Sequence, residues 1–335
     1  VLAWVVSVML PPMAIFFPLF TLMEDSGYLP RVAFNLDRGF QKCSACGKQA
    51  LTMCMGFGCN AAGVTGCRII DSPRERLIAI ITNNFVPCNG RFPTLIAIIT
   101  MFFIGGAAGI FASLASTLFL TGVIILGVLM TFFVSALLSK TVLKGIPSSF
   151  TLELPPYRRP QIGRVIIRSI FDRTLFVLGR AVAVAAPAGL IIWLLANLQM
   201  GGVSLLAHCA AFLDPFAQLL GLDGVILMAF ILGFPANEIV VPIMIMTYLS
   251  TGSIQEFDNL TQLKTLLVDN GWTWLTAVCT MLFSLMHWPC STTCLTIRKE
   301  TQSWKWTVVS ILIPTIIGMT VCFLVASAAR LTGLV

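Results

Sequence analysis

The sequence predicts an all-α fold, a polytopic transmembrane helical bundle with about eight apolar segments. Of its 335 residues, 57% are hydrophobic and only 10% are charged, whereas a soluble domain carries about 25% charged residues. Apolar runs near 20 residues recur, which is about the length that crosses a bilayer core of roughly 30 Å. The alternation over about ten residues that marks a membrane β-barrel is not seen.

Basic residues are concentrated in one part of the chain. Eight of them lie between Lys140 and Arg180, opposed only by Glu153 and Asp172. Cytoplasmic loops carry such an excess, so this stretch is expected in the cytoplasm, and the net charge of +7 indicates a lipid bilayer rather than nucleic acid as partner. It divides the chain into a first membrane repeat (1–138), a basic linker with an amphipathic segment (139–175) and a second membrane repeat (176–335).

The apolar segments follow one another with few polar interruptions. The polar loop Ser250–Gly271 is expected outside, and the basic residues from Arg298 to Lys305 inside. The predicted segments are Val1–Met23 (interrupted by Pro11-Pro12 and Pro18), Arg31–Lys48 (amphipathic and interfacial), Leu51–Ile70 (broken), Leu77–Phe85, Phe92–Phe111 (a full span), Ala115–Leu138, Thr174–Leu198, Val203–Leu220, Val225–Leu249 (broken), Trp272–Leu295 and Thr307–Leu331.

An internal repeat connects the two broken segments. "GFGCN" at Gly56–Asn60 matches "GFPAN" at Gly233–Asn237 with an offset of 177 residues. Two further landmarks recur in the same order. They are Pro11 and Pro187 at an offset of 176, and the Pro-Cys pairs ending at Cys88 and Cys290 at an offset of 202.

The breaks themselves predict a transport site. Gly56 and Gly58 in the first copy, and Gly233 and Pro235 in the second, release backbone groups from the helical ladder. Irregular backbone at membrane depth persists only inside protein or along a wet cavity. Transporters use paired broken helices of this kind to bind substrates and ions.

Polar side chains at the breaks are candidate ligands. Cys59 and Asn60 offer a soft sulfur and a hard oxygen side by side, although Cys59 also suits a packed core. Asn237 is followed by Glu238, whose carboxylate is costly in an apolar segment. The carboxylate is therefore either an ion or proton site or the partner of a buried cation.

A second cluster lies near the end of the second repeat. His287, Cys290 and Cys294 are three and four residues apart and are predicted to share one face of a helix. Thiolate and imidazole favour Zn, Cu(I) or Fe(II), and the alternative is a packed core face with a hydrogen-bonded histidine.

Cys43 and Cys46 have metal-knuckle spacing. No second pair completes a tetrahedral site, so a structural zinc is not favoured, while a half-site, a redox pair and two unrelated thiols remain open. Most of the remaining cysteines are expected to be buried free thiols.

The inventory of motifs argues against most enzymes. The chain has two histidines and no H-E-x-x-H, no G-x-S-x-G and no G-x-x-x-x-G-K-[ST]. It therefore shows no hydrolase site and no nucleotide-binding loop of its own.

Four stretches together resemble one known family. "TLMEDSGYLPRVAFNLDR", "GFGCNAAGVTGCRIIDSPRERL" and "GFPANEIVVPIM" are similar to the membrane region of FeoB-type ferrous iron transporters, and "HWPCSTTCLTIRKE" is similar to a cysteine-containing helix in one branch. The resemblance covers essentially the whole chain. It implies a multi-pass protein of the bacterial inner membrane with two gate motifs, Gly56–Asn60 and Gly233–Glu238, that form a pathway for Fe²⁺.

The resemblance also implies partners and a ligand set. A GTP- and Mg²⁺-binding domain would precede the membrane region, and since it is not in this sequence the chain is expected to be a truncated or cleaved form. Small cytoplasmic accessory proteins and a homo-oligomer are further implied partners. Cys59 falls on the first gate's cysteine, whereas Ala236 occupies the matching place in the second, so Cys290 is expected to supply that thiol.

The hypothesis is that Fe²⁺ meets ligands from both gates near the midplane, and that Glu24 and Asp25 attract it at a mouth of the pathway. The alternatives are a carrier for nucleosides or other small solutes and a membrane sensor that binds metal without moving it. The candidate metal ligands are Cys59, Asn60, Cys88, Asn237, Glu238, His287, Cys290 and Cys294.

Overall fold

The computed structural model describes residues 2–43, 45–104, 110–144, 175–249 and 260–333, together with positions 162, 163 and 167. Most of the predicted linker 139–175 and the first part of the predicted outer loop, 250–259, lie outside these residues.

The described residues are almost entirely helical, as the all-α prediction requires. A two-residue antiparallel pair, β1 (Gln199–Met200) and β2 (Val203–Ser204), is the only sheet among them. The helices are α1 (Leu2–Asp25), α2 (Tyr28–Gln41), α3 (Lys48–Gly58), α4 (Asn60–Gly66), α5 (Pro73–Thr82), α6 (Phe92–Ile98, continuing as a π-helix over Ile99–Ile104), α7 (Ile110–Lys140), α8 (Leu175–Asn197), α9 (Leu205–Leu219), α10 (Gly224–Leu232), α11 (Val240–Tyr248), α12 (Leu260–Asp269), α13 (Trp274–Met286), α14 (Ser291–Thr301) and α15 (Trp304–Leu331), with 3₁₀ turns at Cys67–Ile69, Asn83–Phe85 and Asn237–Ile239.

Four of the described helices are long and apolar enough to cross a membrane. They are Val5–Asp25 of α1, α7, Leu178–Asn197 of α8, and α15, and a fifth span is formed if α9 and α10, bent by 110°, are taken together. α7 exposes large apolar side chains such as Phe111 (85%) and Leu118 (72%). Such a surface is stable only against lipid or another protein. The prediction of a multi-pass membrane protein is confirmed.

The predicted interruption of the first helix is wrong. α1 runs unbroken through its prolines, because a helix in lipid tolerates a few missing amide donors when the rest of its ladder holds. The predicted span Phe92–Phe111 includes positions 105–109, which lie outside the described residues; up to that point it is helical from Phe92 to Ile104.

The predicted helix Trp272–Leu295 is divided into α13 and α14. The chain between them is extended at His287 (ψ 179°) and at Cys290 (ψ 160°). Pro289 has no amide hydrogen and disfavours helical backbone in Trp288 before it. The prediction that His287, Cys290 and Cys294 share one helix face is therefore wrong.

The first break lies at the tip of a helical hairpin. α3 is 11 residues long, about 16 Å, yet Lys48 at its start is 2.5 Å from the carboxylate of Asp71, which follows α4 and the 3₁₀ turn after it. The chain therefore turns back on itself at Cys59. The Lys48 ammonium lowers the pKa of Asp71 below its ordinary value, through a hydrogen bond and through its charge.

The second break lies at the tip of a matching hairpin. Tyr248, at the end of α11, donates a hydrogen bond to Asp223, which caps α10, and the indole of Trp272 donates to the same tyrosine oxygen at 2.8 Å. Tyr248 and Asp71 are 177 residues apart, the offset that also separates Gly233 from Gly56. Both hairpins are thus closed at their bases by polar contacts, in which Asp71 and Tyr248 occupy corresponding positions while their partners do not.

The two halves of the chain are packed together. α4 contacts α14, α1 contacts α8, and the 3₁₀ turn Asn237–Ile239 contacts α1. Arg68, just after α4, donates two hydrogen bonds of 2.7 Å to Glu300 of α14. Contacts between the halves therefore bring the two hairpins face to face.

Candidate functional site

The two hairpin tips have the same backbone conformation. Cys59, between α3 and α4, has φ −156° and ψ 124°, and Ala236, before the 3₁₀ turn of the second hairpin, has φ −156° and ψ 125°. Cys59 alone separates α3 from α4, whereas Ala236 follows a turn over Gly233–Pro235 after α10, and each extended residue is followed by an asparagine, Asn60 or Asn237. The sequence repeat is therefore also a repeat of local structure.

A small cavity lies where the tips meet. Its volume is about 30 Å³. A cavity needs roughly 10–15 Å³ to hold one water molecule, so this one has room for a partly hydrated ion. Its lining comes from both tips, from the loop before α6, from the break before α14 and from α1. The lining residues are Met13, Gly58, Cys59, Asn60, Cys88, Asn89, Gly90, Pro235, Ala236, Asn237, Glu238, Cys290 and Thr292.

Glu238 presents the carboxylate of this cavity. Among the described residues it forms no hydrogen bond or ion pair with any other side chain. An alanine Cβ built at Gly90 would lie 2.6 Å from its Oε1, so the glycine provides the space that the carboxylate occupies. An unpaired carboxylate inside an apolar protein is costly and points to a bound cation or proton.

Three thiols surround the same space. Cys59 and Cys88 are each 8% exposed, and Cys290 is half-buried. The Sγ of Cys290 is 3.1 Å from the hydroxyl of Thr293, and that of Cys88 is 3.9 Å from the side-chain amide of Asn237. Within the described part of the chain, no three His, Cys, Asp or Glu side chains are already placed to hold one metal ion.

The asparagines at the tips satisfy neighbouring groups. The amide of Asn60 fits its surroundings best with its nitrogen 3.2 Å from the carbonyls of both Gly56 and Val86. Asn83 donates to the backbone carbonyl of Asn60 at 3.1 Å. The first tip is thus fixed to the segment that precedes Cys88.

His287 lies behind the cavity and does not line it. Its Nδ1 is 2.9 Å and 3.1 Å from the carbonyls of Ser284 and Phe283, so this nitrogen carries the hydrogen and donates it. Its Nε2, which then accepts, is 3.3 Å from Oδ1 of Asn237. The ring therefore bonds this asparagine with the amide turned so that its nitrogen donates to Nε2.

The remaining predicted site residues lie elsewhere. Cys294 is buried within α14, where its thiol is 3.5 Å from the carbonyl of Pro289. Glu24 and Asp25 are exposed at the end of α1. Cys43 follows α2 and Cys46 is buried in a small apolar cluster with Cys67.

Arg91 is a central residue that the sequence interpretation missed. It is 1% exposed, and its guanidinium donates to the carbonyls of Asn84 at 2.7 Å and Leu285 at 2.8 Å. It also donates to the side-chain oxygen of Asn84 at 3.0 Å. The carbonyl of Leu285 is in the last turn of α13, where the helix has unpaired acceptors and a partial negative charge. A lone arginine beside the Pro-Cys pair at Cys88 was the available signal, because a charge at membrane depth is functional by default.

Comparison with known proteins agrees with this architecture. The family model described as "Gate: Nucleoside recognition" matches residues 6–103 and 178–304, about two thirds of the chain. The model "Ferrous iron transport protein B C terminus" matches residues 120–172. No solved structure matches the chain.

Three of the similar proteins carry the same name. The chain is 31% identical over 329 residues to "Fe(2+) transporter FeoB" of Staphylococcus aureus, covering 95% of this chain and 46% of that protein. It is 28% identical to the protein of the same name from Methanocaldococcus jannaschii, covering 97% and 48%, and 26% identical to that from Leptospira biflexa, covering 98% and 50%. The chain thus spans about half the length of these relatives.

The fold and the site together define a multi-pass membrane protein with two broken hairpins that meet at a polar cavity. The chain belongs to the Gate family, as the membrane region of a FeoB-type protein. The resemblance seen in the sequence motifs is confirmed.

Proposed function

We propose that this chain forms a pathway by which Fe²⁺ crosses the membrane, with the cavity between the hairpin tips as a site on that pathway. The observation that carries the proposal is the unpaired carboxylate of Glu238, which faces the same cavity as the thiols of Cys59 and Cys290. The similar proteins that span twice its length carry the name of Fe²⁺ transporters.

The donors suit the ion chemically. Fe²⁺ accepts both oxygen and sulfur ligands, and a carboxylate offsets its charge in an apolar surrounding. We propose that Glu238, Cys59 and Cys290 replace part of its hydration shell, and that the amide oxygens of Asn60 and Asn237 complete it when the tips approach. A mixed shell binds strongly enough to admit the ion and weakly enough to release it.

Other predicted residues receive supporting roles. His287 positions Asn237 through their contact at 3.3 Å, and Cys88 stands across the cavity as a further donor. Glu24 and Asp25 attract the cation at one mouth of the pathway. Cys294 has no role in this proposal, because its thiol lies away from the cavity.

The size of the cavity disfavours the carrier of organic solutes. A pocket for a small organic ligand measures about 300–1,000 Å³, ten times or more the roughly 30 Å³ found between the tips. Competition separates the two functions, since an excess of mixed nucleosides leaves Fe²⁺ uptake unchanged under the proposal. Saturable Fe²⁺ binding without flux across a sealed bilayer would indicate a sensor instead.

The test is downhill Fe²⁺ uptake into sealed liposomes that contain the full chain, under anaerobic reducing conditions. We expect Cys59→Ser and Glu238→Gln each to lower the initial rate at least tenfold. The matched controls are Cys54→Ser, an exposed cysteine of α3, and Asp269→Asn, an exposed carboxylate at the end of α12, both of which keep the rate. Unchanged uptake in both site variants would remove the proposal.

The wider setting is inferred from the family. We propose that the chain lies in the cytoplasmic membrane. It is organised as two membrane repeats (1–138 and 176–335) joined by the basic cytoplasmic segment 139–175. Transport is coupled to a GTP- and Mg²⁺-binding domain of the full-length protein. Small cytoplasmic accessory proteins and self-association are further proposed interactions. Uptake by the full-length protein with GTP, compared with a non-hydrolysable analogue, tests the coupling.

A further inference from the structure

A carboxylate holds the start of the helix that leads to the first tip. Asp37 of α2 accepts a hydrogen bond from the backbone amide of Gly47, at 2.7 Å, through one oxygen. Its other oxygen accepts from the side chain of Gln41 at 2.6 Å. α3 begins at the residue after Gly47, so the carboxylate caps this helix from ten residues upstream.

The second half of the chain contains the same arrangement. Asp214 of α9 accepts from the backbone amide of Gly224 at 2.9 Å and from the side chain of Gln218 at 2.6 Å. α10, which leads to the second tip, begins at Gly224. All three residues are displaced by 177 from their counterparts, the offset that also relates the two tips. We refer to these contacts as the Asp37 latch and the Asp214 latch.

Close backbone contact makes each latch dependent on glycine. A Cβ at Gly47 would lie 2.3 Å from the carbonyl oxygen of Ala33, and a Cβ at Gly224 would lie 2.0 Å from that of Ala210. These alanines are also 177 residues apart. The supporting helix therefore touches the helix that leads to the tip, backbone against backbone.

The physical consequence is a stiff joint at the base of each hairpin. A carboxylate that bonds a free helical amide fixes both the direction and the rotation of that helix. α3 is 11 residues long, so a tilt at Gly47 is carried about 16 Å to Cys59. Small changes at the latch are therefore magnified at the cavity.

We infer that Asp37 and Asp214 are positioning residues for the ion pathway, each joining a supporting helix and a hairpin into one rigid unit. Asp37 thereby orients Cys59 and Asn60, and Asp214 orients Asn237 and Glu238. The inference deepens the proposed transport function and rests on it for the effect on uptake, whereas the geometry of the tips is tested independently.

The test compares Asp37→Ala with Asp37→Asn in liposomes. Alanine removes both acceptors. Asparagine retains both hydrogen bonds, since its oxygen accepts from Gly47 and its nitrogen donates to the oxygen of a rotated Gln41 amide. We expect the alanine variant to lower Fe²⁺ uptake at least tenfold and the asparagine variant to stay within twofold of the unmutated chain. Asp269→Ala, an exposed carboxylate outside the latches, is the control.

A second readout follows the tip itself. The rate at which N-ethylmaleimide alkylates Cys59, measured by mass spectrometry, should rise at least fivefold in Asp37→Ala, while Cys67, which is 0% exposed, stays protected. Unchanged alkylation and uptake in Asp37→Ala would overturn the inference. Alkylation of Cys67 in that variant would also count against it, because it would show that the carboxylate maintains the fold as a whole.

The two proposals fail in different ways. If the unmutated chain carries no Fe²⁺, the transport function fails, and the alkylation of Cys59 still decides whether the latch positions the tip. If the chain transports and both Asp37→Ala and Asp214→Ala do so at the same rate, the latch inference alone fails.

Discussion

Replacing Gly90 with alanine tests the space reserved for the Glu238 carboxylate. The added Cβ would lie 2.6 Å from Oε1 and 2.7 Å from Cδ, whereas ordinary van der Waals contact begins at 3.4 Å. The carboxylate must therefore move by about 0.8 Å, the difference between 3.4 Å and 2.6 Å. A ligand group displaced by about 1 Å loses its productive geometry, with losses on the order of a hundredfold in comparable sites.

We expect Gly90→Ala to lower the initial rate of Fe²⁺ uptake ten- to a hundredfold while the thermal midpoint of unfolding in detergent stays within about 2 °C. Gly90 does not have a positive φ, so alanine introduces no backbone strain and the flexible end of Glu238 absorbs the clash. Gly122→Ala is the control, because nothing lies within 4 Å of a Cβ on that exposed face of α7. Uptake at the unmutated rate in Gly90→Ala would refute the argument that this carboxylate is held in place for the ion.

Three further predictions concern groups around the site. Lys48→Met removes the ion pair at the base of the first hairpin. Because the Asp71 pKa is lowered in the folded chain, the pair stabilises above the unfolded pKa of about 4, and this contribution is lost as the pH falls through the lowered folded-state pKa. The difference in thermal midpoint between variant and unmutated chain should therefore shrink as the pH is lowered. Arg91→Met leaves the buried carbonyls of Asn84 and Leu285 without a donor and should lower the unfolding free energy by about 3 kcal/mol. Denaturant titration in mixed micelles measures this loss. A loss below about 0.5 kcal/mol would contradict the hydrogen bonds of the guanidinium. Gly63→Ala places a Cβ 2.6 Å from both terminal atoms of the buried Asn83 amide. The overpacking should lower the unfolding free energy by about 1–3 kcal/mol, measured by the same titration. An unchanged free energy would show that the asparagine has room to move.

The fold class could be predicted from the sequence because a membrane imposes one strong constraint. Apolar residues in runs near 20 have few stable arrangements besides spanning helices. The breaks were visible for the same reason, since Gly56–Asn60 and Gly233–Asn237 interrupt such runs with the same residues. Their common conformation, shown by Cys59 and Ala236, agrees with that repeat.

Helix boundaries were less predictable. Proline alone does not decide where a helix ends, since α1 continues through its prolines where a break is expected, while α13 ends three residues before Pro289.

The sequence by itself determined that this chain is helical and embedded in a membrane, and that it contains two related breaks with ligand-type side chains. Only the tertiary structure decided which side chains share a cavity. It brought Cys88 and Cys290 next to Glu238 across the two halves, left Cys294 and His287 outside the lining, and placed Arg91 between Asn84 and the end of α13. The physical reason is that apolar periodicity acts over a few helical turns, whereas contacts between residues 150 to 200 positions apart depend on how the hairpins pack against each other.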